Sequence, residues 1–281
     1  MSILLWIILV ALGSALAYAF LVWLPRRRLD KALQAPFPSD WMLYLQRSPV
    51  YKVLPSSLQL ELQQKIKHFL HTKRFVGCDG LQVSDEMRVT IAAEACLLIL
   101  NRPSTQFRKL RWIYIFPSQF RSKQAQRNEY GVVSKPAGSL LGVSWSNGRI
   151  VLAWDSVQRG VSSADDGSNV VLHEFAHQLD QEDGSADGAP LLYDRASYKQ
   201  WSEVLGREFN ALREALERGE QTLINPYGAT NPAEFFAVIT ELFFERPAQF
   251  HDTHPELFNT LLAYYRIDPQ NWQPSESSIS T

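Results

Sequence analysis

The sequence predicts an α+β domain carried behind one N-terminal transmembrane helix, and three observations predict it. An apolar run without a charge opens the chain, segments with helical spacing of apolar residues follow residue 56, and a strand and a hairpin signal lie between them. The 281 residues are 46% hydrophobic and 20% charged, enough for one sizeable core plus an appendage. Formal net charge is -1, and no basic run is interleaved with aromatics, which argues against a nucleic-acid surface and leaves small molecules, peptides and proteins as partners. Cys78 and Cys96 are the only cysteines. They lack CxxC spacing, so neither a disulfide framework nor a thiol metal site is expected; one bridge or two reduced thiols both fit.

Ile3 to Leu24, "ILLWIILVALGSALAYAFLVWL", is 22 residues without a charge. At about 1.5 Å per residue such a helix matches a hydrocarbon core of roughly 30 Å. A cleaved signal peptide is the rival. It calls for a charged segment first, whereas Arg26, Arg27, Arg28 and Lys31 all follow the run; "SALA" at Ser14 to Ala17 keeps the cleavage reading open. Because positive charge stays on the cytoplasmic side, the expectation is a single pass through the cytoplasmic (inner) membrane with the body of the protein inside. Residues 1–25 are then the transmembrane helix, 26–55 a Pro-containing juxtamembrane connector ("APFPSDW", "VLPSS"), 56–272 the folded domain and 273–281 a disordered tail.

Within the domain, "LQLELQQKIKHFLHTKRF" reads as an amphipathic helix. Asp85 then precedes "MRVTIAAEACLLIL", a buried helix that stops at Asn101-Arg102-Pro103. "LRWIYIF", Leu110 to Phe116, is a strand, and "LLGVSWS", Asn147-Gly148 and "RIVLAW" form a hairpin signal, since Asn-Gly accepts the positive φ of a tight turn. Between them, Pro117 to Ser139 is a long basic stretch, read as a surface loop or a lid.

"VVLHEFAHQLDQEDG", Val170 to Gly184, places His173 and His177 around Glu174. An HExxH pattern arises by chance in roughly one chain in a hundred of this length, so context has to decide. On a helix, Leu172, Phe175 and Leu179 share one stripe and His173, His177 and Asp180 the opposite one. Imidazoles at i and i+4 reach one zinc ion, and the adjacent glutamate can act as general base. The bland reading, a solvated face with incidental histidines, stands beside it. Asp180, near the helix C-terminus, is a candidate partner for a ligand histidine's second ring nitrogen, or else a surface residue in a fraying turn.

A third ligand just downstream is unlike this sequence: Asp180 and Asp183 stand where a metzincin pattern has Gly and His, and Met1, Met42 and Met87 all precede the motif. "YGATNPAEFFAVITELFFERP", Tyr227 to Pro247, offers a glutamate from a second helix. Asn231 can cap it, Pro232 suits its first position, and its surface is apolar nearly all round. Glu234, Glu241 and Glu245 nonetheless share one stripe, and a buried carboxylate needs a charge partner. Glu234 is a metal ligand on that reading, or a capping-box residue reaching back to Asn231.

"HEFAHQLD" followed by "YGATNPAEFFAVITELFFERP" resembles the Mlc titration factor A family of zinc peptidases, as does "SWSNGRIVLAWDSV"; the similarity extends more loosely from Val53 to Trp272. The Tyr-to-Glu-Phe-Phe spacing is also similar to the catalytic domain of anthrax lethal factor, of gluzincin type. The resemblance implies a zincin-like fold with Zn2+ bound by His173, His177 and Glu234, Glu174 as general base, and Tyr227 donating to the oxyanion. It further implies aminopeptidase-like activity and binding of the Mlc repressor, tied to sensing of glucose transport. The N-terminal membrane segment departs from that pattern and sets the repressor role apart from the zinc chemistry. Tyr227 also has a plain reading as an aromatic packed beside the Gly228 turn.

The expectation is a membrane-anchored zinc peptidase facing the cytoplasm and acting on a peptide or protein. Its rival is a zinc-containing module that docks a transcriptional regulator without catalysis. His68, His71, His251 and His254 are expected as surface residues, and the two cysteines as core thiols.

Overall fold

The computed structural model describes residues 3–102, 107–118, 142–145, 148–163 and 165–272, with 142–145 described by backbone alone. Most of the Pro117 to Ser139 stretch and the tail 273–281 lie outside these residues.

Helix α1 (Ile3–Tyr18), one π-helical turn (Ala19–Trp23) and α2 (Leu24–Gln34) run on as a 32-residue helix, long and apolar enough to cross a membrane. The π turn sits immediately before Pro25, whose missing N–H interrupts the ordinary ladder. At its far end α2 packs on α5 (Ser56–Thr72), and Lys67 donates to the carbonyls of Leu33 and Ala35, which the finished helix leaves without partners. Residues 26–55, the expected connector, also contain α3 (Ser39–Leu45) and α4 (Pro49–Val53). Leu45, Tyr51 and Leu54 from this stretch are buried in the core.

The helix expected to reach Phe75 stops at Thr72, because Arg74–Gly77 is strand β1. Its pairing with β2 (Trp112–Phe116) outweighs the helical register of the residues before it. Helix α6 (Asp85–Leu97) follows β1 and starts at Ser84, whose hydroxyl accepts from the Met87 N–H. Strand β3 (Gly142–Trp145) and β4 (Arg149–Ala153) complete a four-stranded sheet of order β1-β2-β4-β3. The first two pairings are parallel and β3 is antiparallel to β4, as the hairpin signal requires. Gly148 has φ +77, and a Cβ there would lie 2.3 Å from the Lys109 carbonyl oxygen, so only glycine fits this turn. Ile113, Ile115, Ile150 and Leu152 form the buried side of the sheet.

The chain then becomes helical: α7 (Trp154–Ser162), α8 (Val170–Asp180), α9 (Arg195–Glu217), a 3-10 turn at Pro226–Ala229, α10 (Pro232–Glu245), α11 (Pro247–Thr253), α12 (Pro255–Tyr265) and a last 3-10 turn at Pro269–Trp272. Phe69, Phe107 and Phe175 pack ring against ring, tying α5 to α8. Phe243 packs on Phe258 and Tyr265, tying α10 to α12. Helices α8 and α10 lie against each other in the middle of the core.

Candidate metal centre

Helix α8 begins at Asn169, whose side-chain oxygen accepts from the N–H groups of Val171 and Leu172 at 3.0 and 3.2 Å. Its apolar residues Val171, Leu172, Phe175, Ala176 and Leu179 are buried. That packing turns His173 and His177, one helical turn apart, toward α10. Helix α10 begins at Asn231, which accepts from the Glu234 N–H at 3.0 Å. The Glu234 carboxylate itself faces the histidines, so Asn231 makes the cap while the Glu234 side chain is free for the site.

Three atoms converge. Glu234 Oε2 lies 3.1 Å from His173 Nε2 and 3.2 Å from His177 Nε2, and the two Nε2 atoms are 3.2 Å apart. Tetrahedral coordination with ligand bonds of about 2.0–2.1 Å places ligand atoms roughly 3.3 Å apart, close to these separations. His173 Nδ1 is 2.7 Å from Glu241 Oε1; donating its proton there leaves Nε2 as a bare acceptor. Three acceptors so close repel one another unless a proton or a cation lies among them. The donor set therefore fits a divalent metal ion, and among the described residues these three form the one such group.

The charges respond accordingly. Burial resists the charged form of His173, but the Glu241 charge and hydrogen bonds to Glu234 and Glu241 raise its pKa well above the usual range. Glu234 is likewise resisted by burial, yet the hydrogen bonds and charges of both histidines hold it far below the ordinary carboxylate range. Burial pushes Glu174 up to about 8, with His173 pulling down and Glu234 and Glu241 pushing up. Among the described residues its Oε2 is buried without a hydrogen-bond partner. A nearby cation favours the ionised form of such a group.

Tyr227 sits on the 3-10 turn, 53% exposed, its ring centroid 6.0 Å from that of His173. Burial of its hydroxyl end, then the Glu234 charge and a hydrogen bond to that carboxylate, push its pKa up to about 12, so the phenol remains a donor at ordinary pH. The structure thus brings His173, His177 and Glu234 together, with Tyr227 beside His173 and Glu174 buried within electrostatic reach of them.

Asp180 is fully buried, not a surface residue; burial pushes its carboxyl up to about 6, against the Gly188 backbone N–H and the His177 charge. The carboxylate hydrogen-bonded to His173 is Glu241, a role the sequence reading did not assign. Its one signal was membership of the Glu234 stripe. Of the other histidines, His254 pairs with Glu208 at 2.9 Å and His71 is exposed. Cys78 and Cys96 are free thiols, Cys96 fully buried.

Comparison with known proteins places this geometry in context. The family model of the glucose-regulated metallo-peptidase M90 matches residues 22–266. An uncharacterized protein of Synechocystis sp. is 38% identical over 267 residues, covering 94% of this chain and 97% of that protein. Mlc titration factor A of Klebsiella pneumoniae is 32% identical over 248 residues, with 87% and 91% covered. The Mlc titration factor A of Escherichia fergusonii is 30% identical over 262 residues, with 90% and 97% covered. A match spanning nearly the whole folded chain, with a two-histidine, one-glutamate cluster at its centre, shows that this chain belongs to the glucose-regulated metallo-peptidase M90 family.

Proposed function

We propose that the protein is a zinc-dependent peptidase of zincin-like, gluzincin type, anchored by its N-terminal helix to the cytoplasmic membrane with the domain inside. The observation that carries the reading is the triangle of His173, His177 and Glu234, with Glu174 buried beside it. Residues 56–272 are the peptidase domain, residues 26–55 join it to the anchor, and the transmembrane helix is 1–25.

Zn2+ held by His173, His177 and Glu234 supplies Lewis acidity for a scissile carbonyl and lowers the pKa of water. Glu174 takes a proton from the attacking water and delivers it to the leaving nitrogen as the carbon–nitrogen bond breaks. The Tyr227 hydroxyl donates a hydrogen bond to the carbonyl oxygen as it gains negative charge; its side chain is half exposed, so a bound peptide can approach it from solvent. Full-length protein in detergent is expected to contain about one equivalent of zinc by elemental analysis, and His173→Ala about none. Parental protein without zinc overturns the reading. For topology, a C-terminal phosphatase fusion active in the periplasm overturns the cytoplasmic placement, which rests on Arg26, Arg27 and Arg28.

The name of the Klebsiella and Escherichia relatives, Mlc titration factor A, favours a second reading in which the same surface docks a regulator. Turnover by Glu174→Gln separates the two, since docking has no use for a base beside the ligands.

A further inference from the structure

Behind the three candidate ligands runs a buried chain of hydrogen bonds that joins three helices. Glu241 on α10 commits both oxygens: Oε1 is 2.7 Å from His173 Nδ1, and Oε2 accepts from the Asn169 backbone N–H at 2.6 Å. Asn169 in turn uses its side-chain oxygen to cap α8 and its amide NH2 to reach Glu94 Oε2 on α6 at 3.1 Å. Asn169, Glu241 and Glu94 are 2, 6 and 4% exposed.

We propose that Glu241 is a positioning residue for His173 and that Asn169 is the residue that holds it, an inference that rests on reading His173 as a metal ligand. A neutral imidazole carries one N–H. Donating it to Glu241 fixes both the tautomer and the ring angle, so that the Nε2 lone pair points into the triangle. A carboxylate bound at one oxygen can still swing; with both oxygens occupied it cannot. The second hold comes from a group that the helix itself leaves over. The N–H of an N-cap residue lies outside the helical ladder and needs another acceptor, which Glu241 supplies. The residue that starts the ligand helix therefore also sets the carboxylate that aims the first ligand. Movement of α8 against α10 has to break one of these bonds, so ligand geometry and helix packing are locked together.

The test uses full-length protein in detergent, with zinc affinity measured by competition against a chelator and the absorption spectrum of the Co2+-loaded protein as a signature of ligand geometry. Glu241→Gln has one acceptor oxygen and cannot serve both donors; it is expected to bind zinc about 10–100-fold more weakly and to shift the cobalt bands. Glu241→Asp keeps the charge but is too short to span both donors, and is expected to fall in the same direction, which keeps the test open if Glu241→Gln does not fold. Glu94→Gln preserves an acceptor for Asn169 and is expected to stay within about threefold of the parent. Parental affinity and spectrum in both Glu241 variants overturn the inference. So does an equal loss in Glu94→Gln, which would mark general damage to the core. His173→Ala and His177→Ala are expected to abolish binding; if they keep zinc, it is the metal reading that fails, whatever Glu241 does.

Discussion

Two helices of this protein are apolar nearly all round, and they have opposite fates. In α1 every residue is exposed, Ile3 to 81%, while in α10 every residue from Glu234 to Glu245 is buried. Apolar density does not separate them. Charge does: α1 carries none, whereas α10 brings three glutamates into the core. A helix that meets lipid is held nearly free of charge, but a helix surrounded by protein can carry carboxylates where partners are built for them, or where burial favours the neutral form, as at Glu245, whose pKa is pushed up to about 8. Glu234 faces two histidines, and Glu241 faces a histidine and a backbone N–H. The charged stripe of a buried apolar helix is thus where to look for chemistry.

The sharpest way to break this contrast is to put the same charge into both helices. Ile239→Asp adds a carboxylate without a built partner to α10 and is expected to cost more than about 4–5 kcal/mol, abolishing the cooperative melt and metal binding together. Val10→Asp in α1 is expected to cost about 2.5–3.5 kcal/mol of membrane insertion, read as protein released from the membrane fraction, while the domain still melts cooperatively and binds zinc. Equal loss of fold in both would mean that α1 is a core helix after all.

The next effects concern the site that the stripe serves. On the proposed mechanism Glu174→Gln keeps the shape of the site but removes the base, so peptide turnover is expected to fall by about 10²–10⁴-fold with zinc content unchanged. Unchanged turnover would move the protein to the docking reading. Tyr227→Phe is expected to lower kcat about a hundredfold with zinc retained and KM little altered, because the hydrogen bond matters only as the oxygen gains charge. Loss of zinc would put the tyrosine among the ligands, and parental turnover would make it a packing residue.

The residues that meet at the site were legible because each rests on a short-range rule. Spacing of four sets His173 beside His177 on one face, and an Asn-Pro start sets where α10 begins and which turn carries Glu234. The antiparallel pairing of β3 and β4, with Gly148 immediately before the returning strand, was legible for the same reason; Asn147 itself lies outside the described residues. Strand β1 was not, since Arg74–Gly77 is short and follows a strong helical pattern directly, and only the distant partner β2 makes it a strand. Residues 26–55 show the same limit: their prolines mark turns, but nothing local shows that Leu45, Tyr51 and Leu54 reach the core. Glu241 was visible as a buried carboxylate, while its partners lie 68 and 72 positions away along the chain. Capping rules gave the partner of the Glu234 N–H; no local rule gives the partner of a long-range carboxylate.

The smallest expected effect tests the far end of the same network. Glu94 on α6 is a buried carboxylate whose pKa is pushed up to about 7 by burial, against the hydrogen bond that Asn169 donates to it. Its folded value lies above the ordinary 4.5, so the folded state binds its proton more tightly than the unfolded chain does. The stability this contributes is complete below about pH 4.5 and is lost as pH rises through about 7, where the charge has to be borne inside the core. Glu94→Gln removes the titration and keeps an oxygen for Asn169. The variant is therefore expected to lose less stability than the parent between about pH 5 and pH 8, gaining on it in Tm as the pH is raised. Because other buried acids titrate in the same range, the quantity to measure is the difference in Tm between parent and variant at each pH. A difference that stays constant across that range would mean that Glu94 is ionised throughout in the folded state, its charge accommodated by the hydrogen bond from Asn169.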